Sequence, residues 1–321
     1  MQGSARAMTT LAAPNAQPAA AASPGRPVEI EEWSNRLLIH PLSARLATLL
    51  VPTPVTPNMV SAMGAAMAAC AAGAFLAAPH APWPLAALVG LAFLFLWHVF
   101  DGADGQLARR TARASTNGEL IDGICDHLGQ LAIYLAFAWL LTPRFGGWAW
   151  ALAAAAGLSR AAQASAYEGA RRNYRRWVYG AGWIRQTLDL QAVGGGAGGR
   201  VKVALGRLYV AVSESVSAGD GGVEAAMGDA MAHGPQGAEA ARQAYRARFL
   251  PLVKQASLLS ANYRSLAAFL SMLAGTPLYF LVYEAAALNL ALVVLVRRQA
   301  AANRRLQQDL AALPSTNPDE A

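Results

Sequence analysis

Residues 101–127 read DGADGQLARRTARASTNGELIDGICDH. Asp101 and Asp104 stand three residues apart, Asp122 and Asp126 four apart. Either spacing brings a pair onto one face of a helix. The segment just before, WPLAALVGLAFLFLWHVF, is apolar throughout, and a second apolar run continues from the aspartates to residue 141. Each approaches the ~20 residues that cross a bilayer. The reading that decides the fold follows: two consecutive membrane-crossing helices with four carboxylates where their ends meet.

Ionisable groups at membrane depth are costly and point to function. Four carboxylates this close repel one another, and a divalent cation is the simplest compensation. All-oxygen ligands favour Mg²⁺, Mn²⁺ or Ca²⁺, and phosphate chemistry favours Mg²⁺. Simple solvation at a membrane edge accounts for Asp101 and Asp104, but poorly for the apolar setting of Asp122 and Asp126. Thr116-Asn117-Gly118-Glu119 has the form of a capping box, with Thr116 as the expected N-cap. Gly102, Gly105, Ala108 and Gly118 leave room for a bulky ligand, and Arg109 beside them suits a diphosphate through a forked contact. The same small residues also serve tight helix packing in membranes.

Outward from this stretch, the 321-residue chain is 55% hydrophobic and 14% charged. Soluble domains carry about 25% charged residues, so the composition indicates a membrane protein. An alanine-rich soluble helical protein is the competing reading. Six apolar spans are predicted, at 58–78, 84–103, 118–141, 147–168, 256–275 and 277–296, giving an all-α polytopic fold of three helical hairpins. The net charge is +7, and no zinc-finger or basic-zipper spacing is present. Lipid and phosphate are therefore the expected partners, and nucleic acid is not. The short turns within the hairpins hold one basic residue, Arg144, while the other connections and both tails hold nearly all the rest. Cytoplasmic loops carry the Lys and Arg excess. Both termini and the aspartates are thus expected on the cytoplasmic side, with a bacterial inner membrane as the expected setting.

The domain organisation reads as a disordered, leaderless tail at 1–27, rich in Ala and Pro, then an interfacial helix and connector at 28–56. A membrane domain at 57–299 follows, with a cytoplasmic insert at 169–255, and a cytoplasmic tail closes the chain at 300–321. In the second unit Ile30, Trp33 and Leu37 recur at helical spacing, and Pro41 is expected to split the helix in two. Arg171, Arg172, Arg175, Arg176, Arg297 and Arg298 lie just inside the membrane. They signal topology or meet anionic headgroups. The glycine run 194–199 lacks the Lys-Ser/Thr of a phosphate loop and reads as a linker. The two cysteines, Cys70 and Cys125, sit in apolar stretches and read as packing.

The full pattern, Asp101-x2-Asp104-Gly105-x2-Ala108-Arg109-x8-Gly118-x3-Asp122-x3-Asp126, resembles the complete signature of the CDP-alcohol phosphatidyltransferase family. The resemblance implies a homodimeric membrane enzyme and two metal ions, Mg²⁺ or Mn²⁺. Asp101, Asp104 and Asp122 would hold them, with Asp126 touching the second. Gly105, Ala108, Arg109 and Gly118 would cradle the cytidine diphosphate, and Asp126 would be the catalytic base that accepts the acceptor's hydroxyl proton. CDP-diacylglycerol with a polar alcohol acceptor is the first expectation. A CDP-aminoalcohol donor with a lipid acceptor is the second, since Ala108-Arg109-Arg110-Thr111 and Gly118-Glu119-Leu120 look similar to the choline/ethanolamine branch. A non-enzymatic divalent-cation carrier stands against both, although the outer halves of spans two and three offer no polar path.

Arg160 and Arg264 fall in spans four and five at roughly the depth of Asp126. They suit an anionic acceptor, or else they pair with carboxylates or snorkel. Glu284, in the outer half of span six, is expected to bond Tyr279 or Tyr283 rather than to act in catalysis. His127 points about 100° away from Asp126 and reads as a packing residue.

Overall fold

The computed structural model describes residues 27–180 and 221–312. The expected tail at 1–27 lies almost wholly outside the described residues, as do the glycine run and the end of the 300–321 tail. Every regular element among the described residues is helical.

The chain enters through a segment at 28–39 and α1 (His40–Leu50). Pro41 does not split this helix. A π-turn over Asn35–Ile39 precedes it, and the His40 N–H reaches back to the Asn35 carbonyl. One extra residue in the turn absorbs the crowding a proline imposes on the preceding turn. The connector then ends at α2 (Pro57–Leu76), where Thr56 caps the helix by accepting from Met59 N–H and Pro57 fills the first turn. Next come α3 (Trp83–Arg110), α4 (Thr116–Phe145) and α5 (Gly147–Tyr179). The turn from α4 to α5 is Gly146, whose φ of +54° favours glycine.

Four helical segments are long and apolar enough to cross a membrane: Pro57–Leu76, Trp83–Arg110, Ile121–Phe145 and Leu278–Ala311. The expected spans at 147–168 and 256–275 do not reach that standard. The first lies in α5, whose apolar half is mostly alanine and whose end carries four arginines. The second coincides with α8 (Ala261–Leu273), only 13 residues long and containing Arg264. The last helix, α9 (Leu278–Ala311), runs through a π-turn at Tyr283–Ala287.

α2, α3, α4 and α9 share one core. Phe137 joins Phe75 at 5.2 Å and Phe280 at 5.3 Å between ring centroids. A methyl at Gly90 would strike the Phe75 ring, and one at Gly129 would lie 2.7 Å from Ala68 Cβ. These glycines let the helices approach closely, as membrane packing favours. The outward faces carry Leu88, Trp139, Trp148 and Leu290, all exposed. Exposed apolar faces on long apolar helices are what lipid covers. The protein is an integral membrane protein.

Part of the expected insert forms a second unit. α6 (Gly221–Ala232) and α7 (Gly234–Ala256) pack against the far ends of α5 and α9. Val223, Met227, Tyr245 and Phe249 share a core with Tyr174, Leu306 and Leu310. Residues 300–311 are therefore helical and join this head through Leu306 and Leu310. Ile30 enters the same core from the N-terminal segment.

Candidate active site

The four aspartates meet where α3 ends and α4 begins. α4 is capped by Ser115, not Thr116: the Ser115 hydroxyl accepts from Gly118 N–H at 3.1 Å. This cap fixes the phase of the helix that carries Asp122 and Asp126.

Asp101, Asp122 and Asp126 each offer a carboxylate oxygen, and these oxygens lie within 4.8 Å of one another. Asp104 is buried beside them and contacts the Asp122 carboxyl at hydrogen-bond range. Its Oδ2 accepts from the Ser61 hydroxyl at 2.6 Å, and its Oδ1 from Gly105 N–H. Carboxylates so close must share protons or cations. An all-oxygen cluster with one edge open fits hard divalent ions.

Two further side chains touch the cluster, one from α3 itself and one from α2. Trp97, buried in α3, donates its Nε1–H to Asp126 Oδ1 at 3.0 Å. Ser61 brings in the first turns of α2, and Asn58 approaches Gly118 from the same end. Sequence reasoning missed Trp97, Asn58 and Ser61. The signal present was two polar residues at i and i+3 where an otherwise apolar span begins. His127 bonds the Gly123 carbonyl at 2.6 Å through Nδ1 and is exposed.

The small residues divide by role. A Cβ on Gly105 would come within 3.4 Å of the Arg109 guanidinium, which therefore lies over the glycine. A Cβ on Gly118 would come 3.2 Å from Ser115 Oγ. Gly102 faces α1 instead: a Cβ there would sit 2.6 Å from Ser43 Oγ, whose hydroxyl bonds the Val99 carbonyl. Ala108 is half-buried in the last turn of α3.

Arg160 and Arg264 are placed differently from one another. Arg160 on α5 donates Nε–H to the Gln130 side chain of α4, one helical turn from Asp126. Arg264 is fully engaged elsewhere. It pairs with Glu284, donates to Gln163 Oε1 at 2.8 Å, and donates to the Leu259 carbonyl at 3.2 Å. Gln163 in turn bonds the Glu284 carbonyl and Asn289. Glu284 thus pairs with Arg264 rather than with Tyr279 or Tyr283. The pair ties α8 to α9 beside α5.

Fold and site together define a class: a membrane-embedded helical protein with an acidic cluster, of a kind that could hold a metal ion, at the meeting of two spans. Residues 54–188 match the family model described as CDP-alcohol phosphatidyltransferase. The choline/ethanolaminephosphotransferase 2 of Arabidopsis thaliana is 28% identical over 171 residues, covering 51% of this chain and 39% of that protein. The chain thus spans about two fifths of that relative's length.

Proposed function

We propose that this protein transfers a phospho-alcohol group from a CDP-linked donor to an alcohol and releases CMP. The observation that carries the reading is the convergence of Asp101, Asp122 and Asp126 within 4.8 Å, with Asp104 alongside. The match of residues 54–188 to the CDP-alcohol phosphatidyltransferase model supports this reading.

Asp101, Asp104, Asp122 and Asp126 would hold two divalent ions. When bound, such ions neutralise diphosphate charge and stabilise attacking and leaving oxygens together. Gly105, Ala108, Arg109 and Gly118 leave space and one guanidinium for the diphosphate. Asp126, oriented by Trp97, takes the proton of the acceptor hydroxyl. The resulting oxygen forms a bond to the donor's β-phosphorus. The bond from that phosphorus to the bridging oxygen breaks, and CMP leaves with that oxygen.

CDP-diacylglycerol is the donor first expected from the sequence. Two observations favour the amino-alcohol branch instead. The Arabidopsis relative is named for choline and ethanolamine. In addition, Arg264 is spent on Glu284, which removes one of the two arginines an anionic polar acceptor would use. The favoured reaction is therefore CDP-choline or CDP-ethanolamine with a lipid alcohol. Purified protein supplied with each donor and with diacylglycerol, Mg²⁺ present, should release CMP. Release only with CDP-diacylglycerol and a polar alcohol would restore the first expectation.

We also propose six crossings, with α5 and α8 completing the bundle and both ends cytoplasmic. α2 and α4 start at the aspartate end, and α3 finishes there. α5 and α9 both finish in the head. α4 ends at the opposite side, so α5 must return, and α8 must then cross for α9 to come back. The exposed Trp33, Leu37, Leu38 and Leu49 support an interfacial position for the N-terminal segment. A homodimer, implied by the family resemblance, is part of the same proposal.

A further inference from the structure

One buried histidine of α3 has no part in the chemistry proposed above. His98 stands in the apolar run of that helix, and its ring stacks on that of Trp97, 4.9 Å apart at the centroids and 24° between planes. Consecutive side chains on a helix point about 100° apart and do not face one another. Stacked rings at adjacent positions therefore need a restraint from outside the helix. Ser265 of α8 supplies one. Its hydroxyl and His98 Nε2 share a hydrogen bond at 2.8 Å, and both side chains are buried.

The restraint is itself anchored. Arg264, one position before Ser265, pairs with Glu284 of α9, donates to Gln163 of α5, and donates to the Leu259 carbonyl. These three contacts fix the rotation of α8 about its axis, and with it the side from which Ser265 meets α3. At the other end of the stack, the Trp97 indole donates to Asp126 of α4. An ordinary buried histidine needs a hydrogen-bond partner and nothing more. His98 has its partner on a different helix and its ring against the residue that holds the proposed base.

We propose that Ser265 and His98 are positioning residues for the transfer reaction. Ser265 pins the His98 ring, the ring braces the Trp97 indole, and the indole aims the Asp126 carboxylate. Neither residue touches substrate or the reacting atoms. The inference rests on the reaction proposed above, with Asp126 as its base. It also gives α8, with only 13 residues, a part in the site: the helix carries the fixed end of the brace. Ser265 lies outside the matched stretch 54–188.

The test combines turnover with a spectroscopic readout on the purified full chain in detergent. With Mg²⁺, CDP-choline or CDP-ethanolamine, and diacylglycerol, Ser265→Ala and His98→Phe should each lower kcat for CMP release by about 2- to 10-fold, the share of one neutral hydrogen bond. The donor's KM should stay unchanged. Placed on Trp97→Phe, Ser265→Ala should lower kcat little further, because residues acting through one contact are not additive. A purely structural role would lower the thermal midpoint and leave kcat of the folded fraction intact. The indole N–H resonance of Trp97, assigned in isotope-labelled protein by its absence from Trp97→Phe, should move in Ser265→Ala without any substrate present. An effect on kcat that adds in full to that of Trp97→Phe, or an indole resonance that stays in place, overturns the brace while leaving the proposed reaction standing. A wild type that releases no CMP from any CDP-linked donor overturns the reaction and this role for Ser265 and His98 with it.

Discussion

Trp97 Nε1 donates to Asp126 Oδ1 at 3.0 Å, joining the buried face of α3 to the first turns of α4. One lone-pair direction of the proposed base is thereby fixed, and the carboxylate is aimed. Trp97→Phe keeps an aromatic ring in the core and removes the donor. A hydrogen bond to a charged group contributes about 1.5–3 kcal/mol, so kcat should fall by about 10- to 100-fold with the donor's KM little changed. Steady-state CMP release measures both. An unaltered kcat would show that the indole does not orient Asp126.

Arg264 and Glu284 form a buried ion pair, at 3% and 0% side-chain exposure. Removing one partner strands the other charge away from water, at a cost of about 3–5 kcal/mol. Arg264→Ala should therefore lower the thermal midpoint in detergent markedly. Arg264→Ala with Glu284→Ala should recover part of the loss, because no uncompensated charge remains. If Arg264→Ala instead leaves the midpoint unchanged and raises only the acceptor's KM, the arginine serves substrate and not the fold.

Much of this site is legible in the sequence because its geometry is local. Asp101 and Asp104, and Asp122 and Asp126, are placed by helical spacing alone, and the apolar runs beside them fix where the helices lie. The pairing of Arg264 with Glu284 is not legible in this way. The two residues sit on different helices, and the depth of each along its own span does not reveal which faces turn together. Trp97 is hidden for a related reason, since an indole inside an apolar run reads as lipid-facing or core. The head is the largest part left unassigned by the sequence. Its core combines Ile30, Tyr174, Met227, Tyr245 and Leu306, drawn from four distant stretches, none of which shows a strong apolar stripe by itself. The expected spans at 147–168 and 256–275 are weak in hydropathy because alanine and arginine dilute them.

Glu29 fastens the N-terminal segment to the head. Its carboxylate accepts from Tyr174 at 2.6 Å and Tyr179 at 2.7 Å, and it pairs with Arg246. Burial pushes its pKa up, but the hydrogen bonds from Tyr174, Tyr179 and Arg246 outweigh that and hold it below the usual 4.5. A carboxyl with a depressed folded pKa contributes stability that is complete above its unfolded value and is lost as pH falls through the folded one. Amide exchange over 28–35 and α7 should therefore accelerate below about pH 4.5. Glu29→Gln should show fast exchange already at neutral pH and no further acid step. An acid step of equal size in that variant would assign it to another group.

Withdrawal of divalent cations offers a separate test of the acidic cluster. Four carboxylates in contact repel when nothing neutralises them, so a chelator should abolish CMP release and alter thermal stability. Mg²⁺ or Mn²⁺ should restore both. Asp122→Asn should weaken the response to added Mg²⁺, read as a smaller shift in thermal midpoint. A midpoint indifferent to Mg²⁺ in wild type and variant alike would argue against ion binding at this cluster.

The most direct test of the central claim is CMP release from CDP-choline or CDP-ethanolamine with diacylglycerol and Mg²⁺, comparing the wild type with Asp126→Asn. The wild type should release CMP in step with lipid product. The variant, still folded in detergent, should lose at least the ~10²–10⁴-fold that a general base contributes. Full activity in Asp126→Asn would contradict the assignment of the base. No CMP release by the wild type with any CDP-linked donor would contradict the proposed reaction and return a cation-carrying role to first place.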